Sequence, residues 1–133
     1  HALSVTVNND IAHNNLAAAL ARQGRFDEAL EQCRAALAIR PAYPEALFNA
    51  GTAMAGRDRY REAEAYYRKA ISLRPEFAEA HNNLAIALAM QGKIDAAIGH
   101  FLTALRLRPD YAEAEKNLGV ALRRMGNDIN HFK

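Results

Sequence analysis

The chain has 133 residues, of which 50% are apolar, and 17 Lys and Arg nearly balance 15 Asp and Glu to give a formal charge of +2. Because the two signs are interspersed, no single-sign field points to nucleic acid or to an anionic membrane as a partner. One Cys excludes an internal disulfide, strand-favouring residues are scarce, and the longest apolar run, 16–21, is far shorter than the roughly 20 residues of a membrane span. We therefore expect an all-α protein without direct membrane insertion.

A period of 34 residues runs through the sequence. The segments ALAIRP, AISLRP and ALRLRP place Pro41, Pro75 and Pro109 at steps of 34 residues. A fixed period of this length indicates stacked copies of one helical unit. We predict a single domain, 1–133, made of a remnant of a preceding repeat, three full repeats and a partial repeat, with the bounds 1–9, 10–43, 44–77, 78–111 and 112–133.

Each full repeat is predicted to contain two helices separated by a turn. Gly24, Gly92 and Gly126, at position 15 of their repeats, fit the left-handed turn that ends a helix, and Asp58 takes this position in the second repeat. The prolines at position 32 end each second helix. In chain order the predicted helices are 10–23, 26–39, 44–57, 60–73, 78–91, 94–107 and 112–125.

Small residues recur where two helices must approach closely. Positions 20 and 27 are Ala in every full repeat, and position 8 alternates between Ala and Gly. Together with the proline at position 32, this pattern resembles the tetratricopeptide repeat over nearly the whole chain. The resemblance implies a right-handed α-α superhelical solenoid of antiparallel helix pairs, in which the first helices line a concave wall.

The candidate site is a row of asparagines on the first helices. Position 6 lies about 200° around the helix from positions 4 and 8, which pack on the second helix, so its side chain points away from the core. The residue is the same in all four units: Asn15, Asn49, Asn83 and Asn117. Asn is a mediocre helix former, but its amide matches both the N–H and the C=O of a peptide backbone. We predict a protein or peptide ligand held along roughly 30 Å of this wall, the reach of about nine extended residues.

This row resembles the asparagine ladder in the repeat domain of O-GlcNAc transferase, which holds substrate peptides. Neighbouring positions add polar and apolar side chains to the predicted wall, and three cations make its last turn basic, which favours an acidic residue or a carboxylate. The added residues are Asn14, Phe48, Asn82, Lys116, Arg123 and Arg124. Two simpler interpretations stay open: the asparagines bond adjacent first helices to one another, and the cations are ordinary charges near a helix C-terminus.

Some domains of this family hold a chaperone's C-terminal carboxylate with Lys, Asn, Asn, Lys and Arg at five set positions. The first three repeats offer instead Asn14, Ala18, Asn49, Glu79 and Asn83, of which only Asn49 matches. A frame that begins at the second repeat does no better. We therefore exclude this role.

The sequence contains no recognisable catalytic set. His13 and His81 lie two repeats apart and are interpreted as packing residues, and Cys33 shares position 24 with two aromatic residues and is interpreted as a small core residue. No phosphate-binding loop, nucleophile with its base, or convergent pair of carboxylates occurs. We predict no catalytic residue, no metal ligand and no cofactor, and we do not expect this chain to be an enzyme.

The ends of the chain raise two further expectations. Unless residues 127–133 fold back, Leu118, Leu122 and Met125 lack a following helix to cover them, which predicts a homo-oligomer that stacks through the solenoid ends. The alternative is that a flanking repeat of the longer protein stacks there. The chain begins without Met and within the repeat frame, so we expect a piece of a longer protein.

The run 1–16 resembles the junction before the repeat array of bacterial multi-pass membrane proteins, some of them similar to O-GlcNAc or O-mannosyl transferases. Two functions stay open. One is a peptide-binding or scaffolding module, which would be cytoplasmic. The other is the periplasmic substrate-recognition arm of such a glycosyltransferase, with catalysis elsewhere in the parent chain.

Overall fold

A computed structural model describes residues 9–131 and the side chains of residues 9–127. Within residues 9–131 the chain forms seven helices and no strand. They are α1 (Asn9–Arg22), α2 (Phe26–Ile39), α3 (Pro44–Gly56), α4 (Tyr60–Leu73), α5 (Ala78–Met90), α6 (Ile94–Leu107) and α7 (Ala112–His131). The all-α prediction is confirmed. Most of the predicted remnant at 1–9 lies outside the described residues.

Left-handed turns end the first helix of each full repeat. Gly24 and Gly92 have φ angles of 77° and 83°, and Asp58 adopts a φ of 59° in the same place. After each turn a backbone N–H donates to the carbonyl five residues earlier, at 2.9 Å in all three cases, as from Arg25 to Leu20. This bond satisfies a carbonyl that the helix end leaves open, so the position-15 prediction is correct in these repeats.

The prediction that α7 ends near residue 125 is wrong, because this helix continues through Gly126 to His131. Glycine permits the left-handed turn without requiring it. In the three full repeats the residue two positions beyond the turn is apolar, namely Phe26, Tyr60 or Ile94. The fourth repeat has Asp128 at this position, and within the described residues no second helix follows that could pack against α7.

Two compact units make up the chain, and they divide between Pro75 and Glu76. In the first unit α1 packs on α2, α3 packs on α4, and α3 also contacts α1 and α2. In the second unit α5 packs on α6, and α7 contacts both of them. None of the helices in residues 9–131 has both the length and the apolar character needed to cross a membrane.

Small residues bring the paired helices of each unit together. Ala17, Cys33 and Ala50 pack as one fully buried group in the first unit. Gly51 faces the ring of Tyr67, and a Cβ placed on this glycine would lie only 2.6 Å from Tyr67 Cε1. The tyrosine is held by a bond of 3.1 Å between its hydroxyl and that of Thr52, so its ring leaves no room for a larger residue than glycine at position 51.

An ion pair joins the two helices of each full repeat. An acid near the start of the first helix pairs with the arginine after the second: Asp10 with Arg40 at 3.0 Å, Glu45 with Arg74 at 2.5 Å, and Glu79 with Arg108 at 3.3 Å. The Arg40 and Arg108 guanidinium groups also lie over the rings of Tyr43 and Tyr111, at 3.6 and 3.7 Å from the centroids. These partly exposed pairs contribute modestly, but they recur once per repeat.

Candidate functional site

The first unit joins two of the predicted asparagines by a hydrogen bond between adjacent first helices. Asn49 Nδ2, on α3, donates to Asn14 Oδ1, on α1, at 2.7 Å. Asn14 is buried, with 7% of its surface exposed, whereas Asn15 is exposed and Asn49 is half-buried. Phe48 is half-buried, with its ring centroid 5.7 Å from that of Tyr67.

The second unit repeats this bond and adds to it. Asn82 is fully buried, and its Nδ2 donates to Asn83 Oδ1 at 3.1 Å and to Glu113 Oε2 at 2.9 Å. Its Oδ1 accepts a longer bond of 3.4 Å from Asn117 Nδ2, on α7. Both amide hydrogens of Asn82 are therefore donated in hydrogen bonds, and its carbonyl oxygen accepts one.

These contacts correct the predicted place of two residues. Asn14 and Asn82 are predicted to lie on the surface of the wall, but they lie beneath it and bond to the next first helix. Position 5 lies about 60–100° from positions 8 and 4, which pack on the second helix, and about 100° from the outward position 6, so the neighbouring first helix decides whether it is covered. The simpler interpretation, in which asparagines bond adjacent first helices, therefore describes part of what Asn49 and Asn117 do.

The position-6 asparagines nevertheless keep hydrogen-bonding groups that no described side chain uses. Within residues 9–127 the side chain of Asn15 makes no hydrogen bond, and Asn49 and Asn117 each use one of their two amide hydrogens. Asn83 uses its carbonyl oxygen alone. Each side chain thus has at least one donor left, and three of the four have a carbonyl oxygen that accepts no bond from the described side chains.

The predicted basic residues all lie on α7 and are exposed. Among the side chains of residues 9–127, Lys116, Arg123 and Arg124 form no ion pair. Lys116 and Arg123 line a shallow cavity of about 360 Å³ together with Glu115. Arg124 faces a separate cavity, so the three cations do not form a single cluster.

The described histidines lie at contacts between paired helices, and the cysteine lies in the core. His13 Nδ1 lies 2.6 Å from Gln32 Oε1, and His81 Nδ1 lies 3.2 Å from His100 Nδ1 with the two rings stacked. Among the described residues no three His, Cys, Asp or Glu side chains are placed to hold one metal ion. Burial raises the pKa of the Cys33 thiol to about 12, so it stays protonated at neutral pH and is a poor nucleophile.

Sequence reasoning missed the contact between His81 and His100, although the sequence contains a signal for it. Both histidine contacts join residues 19 apart, from position 4 of a repeat to position 23. This spacing is the same in the first and third repeats, so it marks the place where the paired helices of a repeat meet.

Comparison with known families identifies the repeat. A profile described as Tetratricopeptide repeat matches residues 9–76, and a second profile of the same description matches residues 48–112 and 90–128. The chain belongs to the tetratricopeptide-repeat family. The predicted fold class, an all-α solenoid of antiparallel helix pairs, is confirmed, and this repeat is generally a non-catalytic interaction module.

Solved tetratricopeptide-repeat structures superpose closely on the chain. An O-GlcNAc transferase of Thermobaculum terrenum is 32% identical with a TM-score of 0.84, over 88% of this chain and 22% of the other. The first repeat domain of Spaghetti (RPAP3), bound to the HSP90 peptide SRMEEVD, is 19% identical with a TM-score of 0.86, over 90% and 94%. The second repeat domain of human RPAP3, in complex with the HSP70 peptide SGPTIEEVD, is 23% identical with a TM-score of 0.81, over 87% and 97%.

A search of curated proteins finds no match to this tetratricopeptide-repeat chain. The chain spans about a fifth of the Thermobaculum transferase, so that likeness concerns the repeat region of the larger enzyme. The two RPAP3 domains are matched over nearly their full length, and at their low identity they show the fold alone.

Proposed function

We propose that this chain is a protein-interaction module that binds an extended peptide segment through the main chain of the peptide. The observation that carries the proposal is the hydrogen-bonding capacity left on the position-6 asparagines after their contacts with neighbouring side chains. An amide that presents a donor and an acceptor pairs with the N–H and C=O of any residue. Binding of this kind depends little on the side chains of the guest.

The buried asparagines are proposed to position the outer ones. Asn14 fixes the amide of Asn49 from below, and Asn82 does the same for Asn83 and Asn117. A side chain already held in one orientation loses less conformational entropy when a ligand binds. Asn14 and Asn82 are therefore assigned a supporting role, and Phe48 an apolar place on the same wall.

Two structural relatives were solved with peptides that end in EEVD, which supports peptide binding as the general activity. Four of the five residues of the chaperone carboxylate clamp are replaced here, and Glu79 stands where the clamp has Lys. That glutamate is paired with Arg108. We therefore propose recognition of an internal extended segment, with Lys116, Arg123 and Arg124 favouring acidic residues in it.

Replacing Asn15, Asn49, Asn83 and Asn117 together with Ala is expected to weaken peptide binding at least tenfold. Each amide hydrogen bond contributes about 1 kcal/mol, so several lost bonds change the dissociation constant by one to three decades. The measurement is fluorescence anisotropy with a peptide selected by the wild-type chain from a displayed random heptapeptide library.

A matched control removes four exposed charges from the second helices instead, through Glu31→Ala, Lys69→Ala, Asp95→Ala and Arg106→Ala, which leaves the net charge unchanged. N-methylation of single amides in the selected peptide removes a main-chain donor without altering a side chain. Equal binding by the asparagine variant and the control, or indifference to N-methylation, would rule out main-chain recognition.

A second candidate is the substrate-recognition arm of a bacterial O-GlcNAc or O-mannosyl transferase-like protein with catalysis elsewhere in the parent chain. The observation in its favour is the 32% identity to the Thermobaculum transferase over 88% of this chain. The gene upstream of His1 distinguishes the candidates. A transferase domain or several membrane spans favour the arm, which would then be periplasmic if it follows the spans, and further repeats alone favour a free-standing cytoplasmic module.

The chain is also proposed to self-associate through the open face of α7. Leu122 is 48% exposed, and Leu118 and Met125 on the same helix are half-buried. Exposed apolar side chains on a repeat helix favour stacking on another copy. Light scattering is expected to show a mass that rises with protein concentration and stays monomeric after Leu122→Glu. A wild-type chain that remains monomeric at high concentration would contradict this expectation.

A further inference from the structure

A cavity of about 160 Å³ opens in the second unit where α7 lies against α5 and α6. Its walls include Ile86, Met90, Phe101 and Val120. An engineered protein cavity of about 150 Å³ accepts one benzene molecule, so this space matches a single apolar side chain of moderate size. The size and the composition of this cavity therefore suit one inserted side chain better than contact with a broad apolar surface of a partner.

The rim of the cavity leaves apolar groups in water. Met90 is 56% exposed and Val120 is 42% exposed, although both line the cavity. An entering aliphatic group would cover these side chains, and burial of apolar surface is favourable. The flexible thioether of Met90 also adapts to guests of different shape.

Two polar side chains also line this cavity, and one of them is a cation that favours a negatively charged guest. Asn117 and Arg124 belong to its lining, and the Asn117 carbonyl oxygen accepts no bond among the described side chains. Arg124 forms no ion pair within the side chains of residues 9–127. The acidic residues near the start of α7 make contacts elsewhere. Glu113 Oε2 accepts a hydrogen bond from Asn82, and Glu115 lines the other cavity.

We infer that this cavity is a specificity subsite for an aliphatic residue followed by an acidic one in the bound peptide. The aliphatic side chain fills the cavity, and the neighbouring carboxylate pairs with the Arg124 guanidinium, whose two parallel N–H groups match it in geometry. Asn117 accepts a main-chain N–H of the same segment. The inference rests on the proposed peptide binding and adds side-chain selectivity to a wall that otherwise reads the main chain.

The test uses short probes that carry the proposed chemistry and nothing else. N-acetyl-Leu-Asp-amide is compared with N-acetyl-Leu-Asn-amide and N-acetyl-Ala-Asp-amide by NMR, through the methyl signals of Met90 and Val120. We expect saturable shifts with the Leu-Asp probe and at least threefold weaker binding of the other two. Equal affinity for all three probes would overturn the subsite.

Arg124→Glu is expected to reverse the charge preference, so that N-acetyl-Leu-Lys-amide becomes the better probe. Arg106→Glu makes the same charge change at an exposed position of α6 outside the cavity, and it is expected to keep the Leu-Asp preference. A preference for Leu-Asp that survives Arg124→Glu, or that Arg106→Glu also reverses, would show that Arg124 does not select the acid.

The probes separate this inference from the proposed function. If the Leu-Asp probe binds while the random heptapeptide library yields no ligand, the subsite stands and extended peptide binding fails. If the library yields ligands without enrichment of an aliphatic–acidic pair, the proposed function stands and the subsite fails. Methyl shifts that follow protein concentration without any probe would assign the cavity to a second copy of the chain and overturn the inference.

Discussion

Replacing Asn82 with Asp is expected to destabilise the second unit by about 3–5 kcal/mol at neutral pH, the usual cost of an uncompensated charge in a protein interior. The new carboxylate would be fully buried and would lose the amide that donates to Glu113 Oε2 at 2.9 Å and to Asn83 Oδ1. It would instead face the Glu113 carboxylate directly. Thermal and denaturant unfolding followed by circular dichroism measure the loss.

The loss of unfolding free energy in Asn82→Asp should become smaller as the pH falls. Burial and the nearby Glu113 charge raise the pKa of the new carboxyl in the folded state above its ordinary value of about 3.9. Below that ordinary value the group is protonated in both folded and unfolded chains, so little stability is lost. As the pH rises, the unfolded chain releases the proton while the folded chain retains it, and the penalty grows until the pH passes the folded-state pKa.

Asn14→Asp is the matched control in the first unit. Asn14 is buried like Asn82, but its side chain acts as an acceptor, from Asn49 Nδ2 at 2.7 Å. A carboxylate keeps that bond, and its charge strengthens the bond. The control should therefore lose less than half as much stability as Asn82→Asp. Equal losses would mean that burial alone, and not the donor bonds of Asn82, sets the cost.

Replacing Gly51 with Ala is expected to destabilise the first unit by about 1–2 kcal/mol, although Ala is the better helix former. The new Cβ would lie 2.6 Å from Tyr67 Cε1, and the ring is fully buried against Phe48 and tied to Thr52 by its hydroxyl. Overpacking of this kind costs about 1–3 kcal/mol, and the gain in helix propensity, up to about 1 kcal/mol, offsets part of it. Denaturant unfolding measures the net change.

Gly99→Ala is the control for helix propensity. Gly99 lies within α6, is exposed, and has open space where a Cβ would stand, so the change should stabilise by about 0.5–1 kcal/mol. Adding Tyr67→Phe to Gly51→Ala removes the tie to Thr52 and lets the ring shift, which should recover part of the loss. A Gly51→Ala variant as stable as the original chain would show that the ring moves freely.

The sequence predicted the helices well because their ends depend on local residues that recur. The glycines at 24 and 92 and the prolines at 41, 75 and 109 placed the neighbouring helix ends to within a residue or two, and Asp58 took up the glycine conformation. Gly126 was misleading because in the full repeats an apolar residue and a second helix follow this turn, whereas Asp128 stands at the corresponding position of the fourth repeat. A glycine alone therefore does not fix a helix end.

The sequence predicted which helix face carries the site, but it did not predict which of the asparagines are buried. Helical spacing identified the outward direction of position 6, whereas the burial of Asn14 and Asn82 depends on how closely the next first helix approaches. The hydrogen bonds 14–49 and 82–117 share a separation of 35 residues, which a search for repeated Asn pairs would have found. Adjacent residues on a helix diverge by about 100°, so helical spacing already separates Arg123 from Arg124. The cavity that each of them lines could be found only from the structure.

The two kinds of polar contact described above constrain how such an array can grow in a genome. Each acid–arginine pair lies inside one 34-residue block, so tandem duplication or deletion of a block would carry both partners together. The asparagine bonds cross block boundaries, and their inner partner occurs in the first and third blocks but not in the second or fourth, which have Phe48 and Lys116. Copying single blocks would therefore break the alternation, whereas copying them in twos would preserve it.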